Sequence, residues 1–251
     1  PLLRGDSDIR ALTVPQIREQ PALARVLETI RLLKKTVGDA VPIIGVTVSP
    51  FSLPIMQMGF EPYLEMLYRQ PALFDRLMDV NAAFSVDWAN AQLDAGATAI
   101  CLFDPLASPT LLERPTWLRT GQPVLRHVMK QIHGAVVLHP ASGKLFPVLD
   151  DFAALGALVA GFSKLDNPIA VKEAARGRIS LIGNLNAIEM VHWTPEETTR
   201  QVQSLIRDAG RGGGFILSDQ HGEIPWQVPE STLHALVEAN RAWGTYPLEW
   251  V

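Results

Sequence analysis

The chain has 251 residues, a net charge of −4 and 47% hydrophobic residues, which suits one large α/β domain or two small ones with a substantial buried core. Its basic residues are scattered, so no groove for a phosphate backbone is expected and nucleic acid is excluded as a partner. No apolar run approaches the roughly 20 residues of a membrane span, and a start containing Arg4, Asp6, Asp8 and Arg10 does not read as a signal peptide.

Residues 1–16 show no periodicity and read as a polar lead-in, with the Arg4-Gly5-Asp6 triplet a chance occurrence; Pro1 in place of methionine leads us to expect a segment upstream. Apolar residues at helical spacing (Leu23, Val26, Leu27, Ile30, Leu33) predict a helix over 22–36, ended by Gly38. Val41 to Val48 predicts a buried strand with Ser49, Pro50, Phe51 and Ser52 at its outlet. Helices over 61–78 and 81–95 follow, with Gly96 as a natural C-cap. Thr98 to Phe103 is the second strand and ends at Asp104-Pro105. Cys101 lies inside this apolar run, so it is expected to be a buried, inert thiol; a single cysteine forms no internal disulfide, and a reducing cytoplasm is the expected location.

The alternation continues. A helix near 115–132 leads to a strand over 135–138 that runs into His139-Pro140-Ala141-Ser142-Gly143. A shorter helix near 147–155 precedes a strand over 158–162, and a helical turn over 168–175 precedes a strand over 179–182 that ends in Gly183-Asn184-Leu185-Asn186. Thr194, Pro195, Glu196 and Glu197 form a strong helix start: an N-cap hydroxyl, a proline in the first helical position and acids facing the dipole. That helix ends at Gly210, the sixth strand covers 215–218, and a last helix covers 229–243.

Strands separated by helix-length segments require crossovers, so the sheet is expected to be parallel and covered on both faces. A closed eight-stranded barrel takes about 250 residues, yet only six strands are found. The missing two lie in the unpatterned first third or in an absent N-terminal piece.

The stretch Phe215 to Pro225 carries the most chemistry, because a buried strand stops directly in Asp219, Gln220, His221 and Glu223. Ligands in parallel α/β folds collect at the carboxyl ends of strands, where loops vary above a rigid sheet. A parallel sheet would gather Ser49, Asp104, His139, Asn184, Asp219, His221 and Glu223 there. Two imidazoles and a carboxylate suit zinc or a similar divalent ion with one position open for substrate. The competing reading is that the histidines cap strand ends and bind backbone or substrate without metal. Asp104 either orients a neighbouring group or caps the turn through Pro105. His127, His133, His192 and His234 fall on or beside helices and read as structural or solvated. Trp226, Trp243 and Trp250 read as packing for the C-terminal segment, and the Gly210–Gly214 run precedes a strand, so its amides do not open a helix as a phosphate loop's do.

Val41-Pro-Ile-Ile-Gly-Val-Thr-Val-Ser-Pro-Phe, Asp94-Ala-Gly-Ala, Asp104-Pro-Leu-Ala-Ser-Pro, Gly183-Asn and His221-Gly-Glu-Ile-Pro, in that order, resemble the uroporphyrinogen decarboxylase superfamily. The layout is most similar to its methylcobamide:coenzyme M methyltransferase branch, over about residues 20–245. The resemblance implies a single (β/α)8 TIM barrel over residues 1–251, with the family's N-terminal region absent. The decarboxylases bind a tetrapyrrole through N-terminal motifs that this chain does not contain, and by spacing Trp88 stands where they carry a tyrosine. Their His-Gly pair is similar to His221-Gly222.

The methyltransferases hold zinc through a His-x-Cys-Gly turn and a later Cys-Gly turn. Here the first keeps His139 without the cysteine, and His221 occupies the second. The resemblance therefore implies zinc held by His139, His221 and a carboxylate such as Glu223 or Asp219, a harder ligand set that makes a stronger Lewis acid. The implied activity is transfer of a methyl group between a small substrate other than coenzyme M and the cobalamin (corrinoid) of a partner protein. Asp104, His221 and Glu223 would act in catalysis, and Ser49 and Asn184 would contact the cofactor. The resemblance also admits a homodimer. Its alternatives are a metal-free, decarboxylase-like lyase that uses His221 as a hydrogen-bonding group, and a non-catalytic corrinoid-binding relative.

Overall fold

The computed structural model describes residues 2–251. The fold is α/β, with six strands in the order β1-β2-β3-β4-β5-β6. The chain divides into two compact units, Pro1–Ala107 with Leu112–Leu138 and Ser108–Leu111 with His139–Val251.

The first unit runs α1 (Asp6–Ala11), α2 (Pro21–Val37), β1 (Ile44–Val48), α3 (Pro54–Met58), α4 (Phe60–Arg69), α5 (Pro71–Asp94), β2 (Ala99–Phe103) and α6 (Arg114–Met129), and takes in residues 135–138 of β3 (Ala135–His139). β1 and β2 pair in parallel, with Val46 opposite Cys101. The first four residues of β2 are buried, as a strand covered on both faces requires. Burial pushes the Cys101 thiol up to about 12, so no thiolate forms near neutral pH.

Two local expectations change here. The lead-in is not featureless: α1 forms within it and buries Ile9, which is 1% exposed. The long helical stretch breaks at Gln70 rather than near residue 80, because Pro71 starts a new helix. Its fixed φ suits the first turn, and it has no N–H to give to α4. Of the apolar positions read on α2, Leu27 and Ile30 are buried, while Val26 and Leu33 are exposed. Trp88 packs with Ile17, Leu27, Ile30 and Ala95 in a helix-side core, so it is a packing residue and not a stand-in for a catalytic tyrosine.

The second unit holds α7 (Leu149–Ala154), β4 (Val159–Gly161), α8 (Pro168–Ala175), β5 (Ser180–Leu185), α9 (Pro195–Leu205), β6 (Phe215–Asp219) and α10 (Glu230–Trp243). β4, β5 and β6 pair in parallel, and Asn184 and Leu185 lie opposite Ser218 and Asp219. The helix starts follow their sequence signals. The Asn167 side chain accepts from the Ala170 N–H at 3.0 Å, the Thr194 hydroxyl oxygen accepts from the Glu197 N–H at 3.2 Å, and a proline follows each cap. α9 continues as a π-helical turn to Gly210. Trp243 and Trp250 pack edge to face with centroids 5.1 Å apart, but Trp226 is 95% exposed and packs nothing. His127, His133, His192 and His234 are all exposed. Among the described residues no helix is long and apolar enough to cross a membrane.

Candidate active site

Each unit carries a polar cluster at the carboxyl ends of its strands. In the first unit these ends bring Ser49 and Asp104 into one buried network. The Ser49 N–H donates to the Phe103 carbonyl at 2.8 Å, which carries the β1–β2 ladder one residue further. Its hydroxyl oxygen accepts from the Ser52 N–H at 3.2 Å. The Ser52 hydroxyl donates to Asp104 Oδ1 at 2.5 Å and accepts from the Leu106 N–H at 3.2 Å. Asp104 is fully buried, and burial raises its pKa; hydrogen bonds from Ser52, Ser49, Trp117 and the Ala107 backbone offset only part of that rise. The Tyr63 hydroxyl donates to the Phe51 carbonyl at 2.7 Å, and its pKa is pushed up first by burial and then by the charge of Asp104.

A carboxyl held this way keeps its proton to higher pH than a free aspartate. It contributes stability that is fully present below the unfolded value of 3.8 and is lost as pH rises through the raised folded value. Asp104→Asn is therefore expected to remove this decline, so that urea denaturation shows the variant gaining on the parent as pH rises from 4 toward 7. Parallel stability profiles for the two proteins would contradict the assignment.

In the second unit β3 ends at His139, β5 carries Asn184 near its end, and β6 ends at Asp219 before Gln220 and His221. His139 is 3% exposed, and burial lowers its pKa to about 4; the Asp219 charge opposes the shift and the His221 charge adds to it. The two imidazoles and the Asp219 carboxylate thus lie within one electrostatic neighbourhood, and His139 is neutral at pH 7. Space for its ring comes from Gly161: a Cβ there would meet His139 Cδ2 at 2.3 Å and Cγ at 2.5 Å.

Asp219 Oδ2 accepts two backbone N–H groups, from His221 at 2.6 Å and Gly222 at 2.7 Å, and so folds the turn that places the His221 ring. Asn184 is 2% exposed and its Nδ2 donates to the Ser163 carbonyl at 3.0 Å. A carbonyl can only accept, so the other arm of the amide is Oδ1. That oxygen is buried with no hydrogen-bond donor in the structure. The site therefore presents an acceptor at Asn184 and a buried Nδ1 at His221 that likewise has no partner. Unpaired buried polar atoms cost roughly 1–3 kcal/mol each, so both atoms are open to a hydrogen-bonding partner from outside the chain.

The expected residues divide accordingly. Ser49 and Asp104 belong to the first cluster; His139, Asn184, Asp219 and His221 belong to the second. Glu223 joins neither, because it is exposed in the loop beyond Gly222. Among the described residues no three His, Cys, Asp or Glu side chains converge to hold a metal ion, so the ligand set His139, His221 and Glu223 does not fit zinc. Gly161, Ser163 and Lys164, which shape the second cluster, carry no sign in the sequence beyond lying at or just past the end of a short strand.

Residues 1–243 match the uroporphyrinogen decarboxylase (URO-D) family. The chain is 28% identical over 244 residues to a uroporphyrinogen decarboxylase of Cellvibrio japonicus, covering 91% of this chain and 66% of the relative. It is equally 28% identical to the methylcobamide:CoM methyltransferase MtaA of Methanosarcina barkeri, over 85% of this chain and 62% of the relative. A solved methyltransferase from Methanosarcina mazei superposes with a TM-score of 0.84 at 23% identity, covering 94% of this chain and 69% of that one, which establishes a shared fold. The chain spans about two thirds of the length of the curated relatives it matches.

Proposed function

The chain belongs to the uroporphyrinogen decarboxylase family, and from that premise we propose that it is a methyltransferase, moving a methyl group between a small substrate and a corrinoid carried by a partner protein. One observation carries the reading. His139, which the resemblance matches to the histidine of the methyltransferases' His-x-Cys-Gly turn, is buried and neutral beside Asp219 and His221. Transfer of a methyl group from an oxygen, nitrogen or sulfur atom leaves negative charge on that atom. Buried hydrogen-bond donors meet such charge without having to reorganise water, and removing one such donor costs roughly 100-fold or more in rate. The buried Nδ1 of His221 faces the heteroatom, the Asn184 Oδ1 accepts a hydrogen bond from another part of the substrate, and Asp104 serves as a proton-bearing group in its own cluster. Among the described residues His139, His221 and Glu223 do not converge, so no step is drawn through a metal.

The test uses the purified chain with a reduced corrinoid protein and a panel of methoxylated, methylaminated and methylthiolated substrates, following the corrinoid absorbance. Methyl transfer that drops about 100-fold or more in His139→Gln and in His221→Gln supports the reading. Transfer unchanged in both variants removes it. The pair His221-Gly222 also favours a decarboxylase-like lyase, and release of carbon dioxide from a porphyrinogen without any corrinoid reaction would put that activity in its place.

A further inference from the structure

We infer that Gln220 is a positioning residue that locks His221 into the tautomer with its proton on Nδ1, making it a hydrogen-bond donor to an oxygen of the substrate and removing it from metal ligation. The inference deepens the proposed function and rests on that reading only for the identity of the substrate.

Gln220 is 6% exposed, and its own backbone N–H donates to the Leu185 carbonyl at 2.9 Å, which ties it to the end of β5. Its side-chain Oε1 lies 2.6 Å from the Lys164 backbone nitrogen. A peptide N–H can only donate, so the arm of the amide facing it is the carbonyl oxygen and the other arm is the NH2 group. That NH2 lies 3.1 Å from His221 Nε2. An amide nitrogen has no lone pair to offer, so Nε2 has to be the accepting nitrogen and carries no proton. A neutral imidazole has one proton, which then resides on Nδ1.

The same contact decides what His221 can bind. Its Nε2 lone pair is occupied by Gln220, and its protonated Nδ1 has no lone pair in the ring plane. To ligate a metal through Nδ1 the proton would have to move to Nε2, where it would face the Gln220 NH2. The amide would then have to turn over and break its bond with Lys164. Nδ1 is buried and has no acceptor in the structure. A donor in that condition calls for an acceptor on a bound molecule, and a carboxylate, ether or phenolate oxygen provides one.

The inference is tested by long-range proton–nitrogen correlation spectra of the chain labelled with 15N-histidine, with the His221 signals identified from their loss in His221→Gln. The parent is expected to show the proton on Nδ1. In Gln220→Glu one carboxylate oxygen still accepts from Lys164 while the other becomes an acceptor facing Nε2, so the proton is expected to switch to Nε2. A parent with the proton on Nε2 overturns the inference, as does the same tautomer in parent and variant. The parent spectrum decides the question even where the variant fails to fold. A zinc titration adds an independent readout: the parent's His221 signals are expected to stay unmoved by one equivalent of zinc, and a shift of Nε2 on binding contradicts the inference. Methyl-transfer assays report on the activity alone, so a Nδ1 tautomer in an enzyme without methyl transfer overturns the proposed function and leaves the role of Gln220 standing.

Discussion

Lowering the pH from 7 to 4 is expected to cost the protein roughly 3 kcal/mol through the His139 imidazole alone. The folded pKa of about 4 lies below the ordinary 6.5, so above pH 6.5 the full contribution is present. Between 6.5 and about 4 the unfolded chain takes up a proton that the folded chain refuses, and stability drains away. The cause is burial of the ring at the end of β3, where charging it would strip its hydration. Urea denaturation at a series of pH values measures this directly. His139→Gln is expected to have lost this acid limb while being less stable than the parent at pH 7. An acid limb of equal size in the variant would show that other groups carry it. Asp104 works in the opposite direction over part of the same range, so the cleanest comparison is made in an Asp104→Asn background.

The second large effect is expected from Gly161→Ala. The added methyl would sit 2.3 Å from His139 Cδ2 and 2.7 Å from its Nε2, well inside contact distance. The ring is buried on a short side chain, so it lacks the reach by which the end of a lysine swings aside. Either β4 or the imidazole has to move. Overpacking of this kind costs about 1–3 kcal/mol, and displacement of the ring is expected to reduce any activity that depends on it at least as far as His139→Gln does. A double-mutant cycle isolates the cause. In a His139→Ala background the clash disappears, so Gly161→Ala is expected to cost less there by about 0.5–3 kcal/mol. Additive costs would mean that the glycine serves the backbone of β4 and not the histidine.

The elements were largely readable along the chain because each is specified by neighbouring residues. The six strands and the starts of α8 and α9 follow from apolar runs, glycines, prolines and capping side chains that act within one turn of helix or one pleat. Even the break at Pro71 had a local cause, a proline at a helix start, which the strong periodicity on either side overrode. Ile9 shows the limit of that approach: a lone apolar residue in a polar segment has no period, and only its packing declares it.

For the candidate site, sequence alone determined which residue types stand at the strand outlets, including His139, Asn184, Asp219 and His221, since a parallel α/β chain must deliver the residue after each strand to the same edge. Which of them meet was decided by tertiary structure. Glu223 is two residues from His221 yet exposed, because Asp219 accepts the N–H groups of His221 and Gly222 and turns the chain there. The proton position on His221 depends on Lys164, 57 residues away by number, through an amide whose orientation is set by a backbone N–H. Such facts arise from directional bonds between distant segments, which no pattern of consecutive residues encodes.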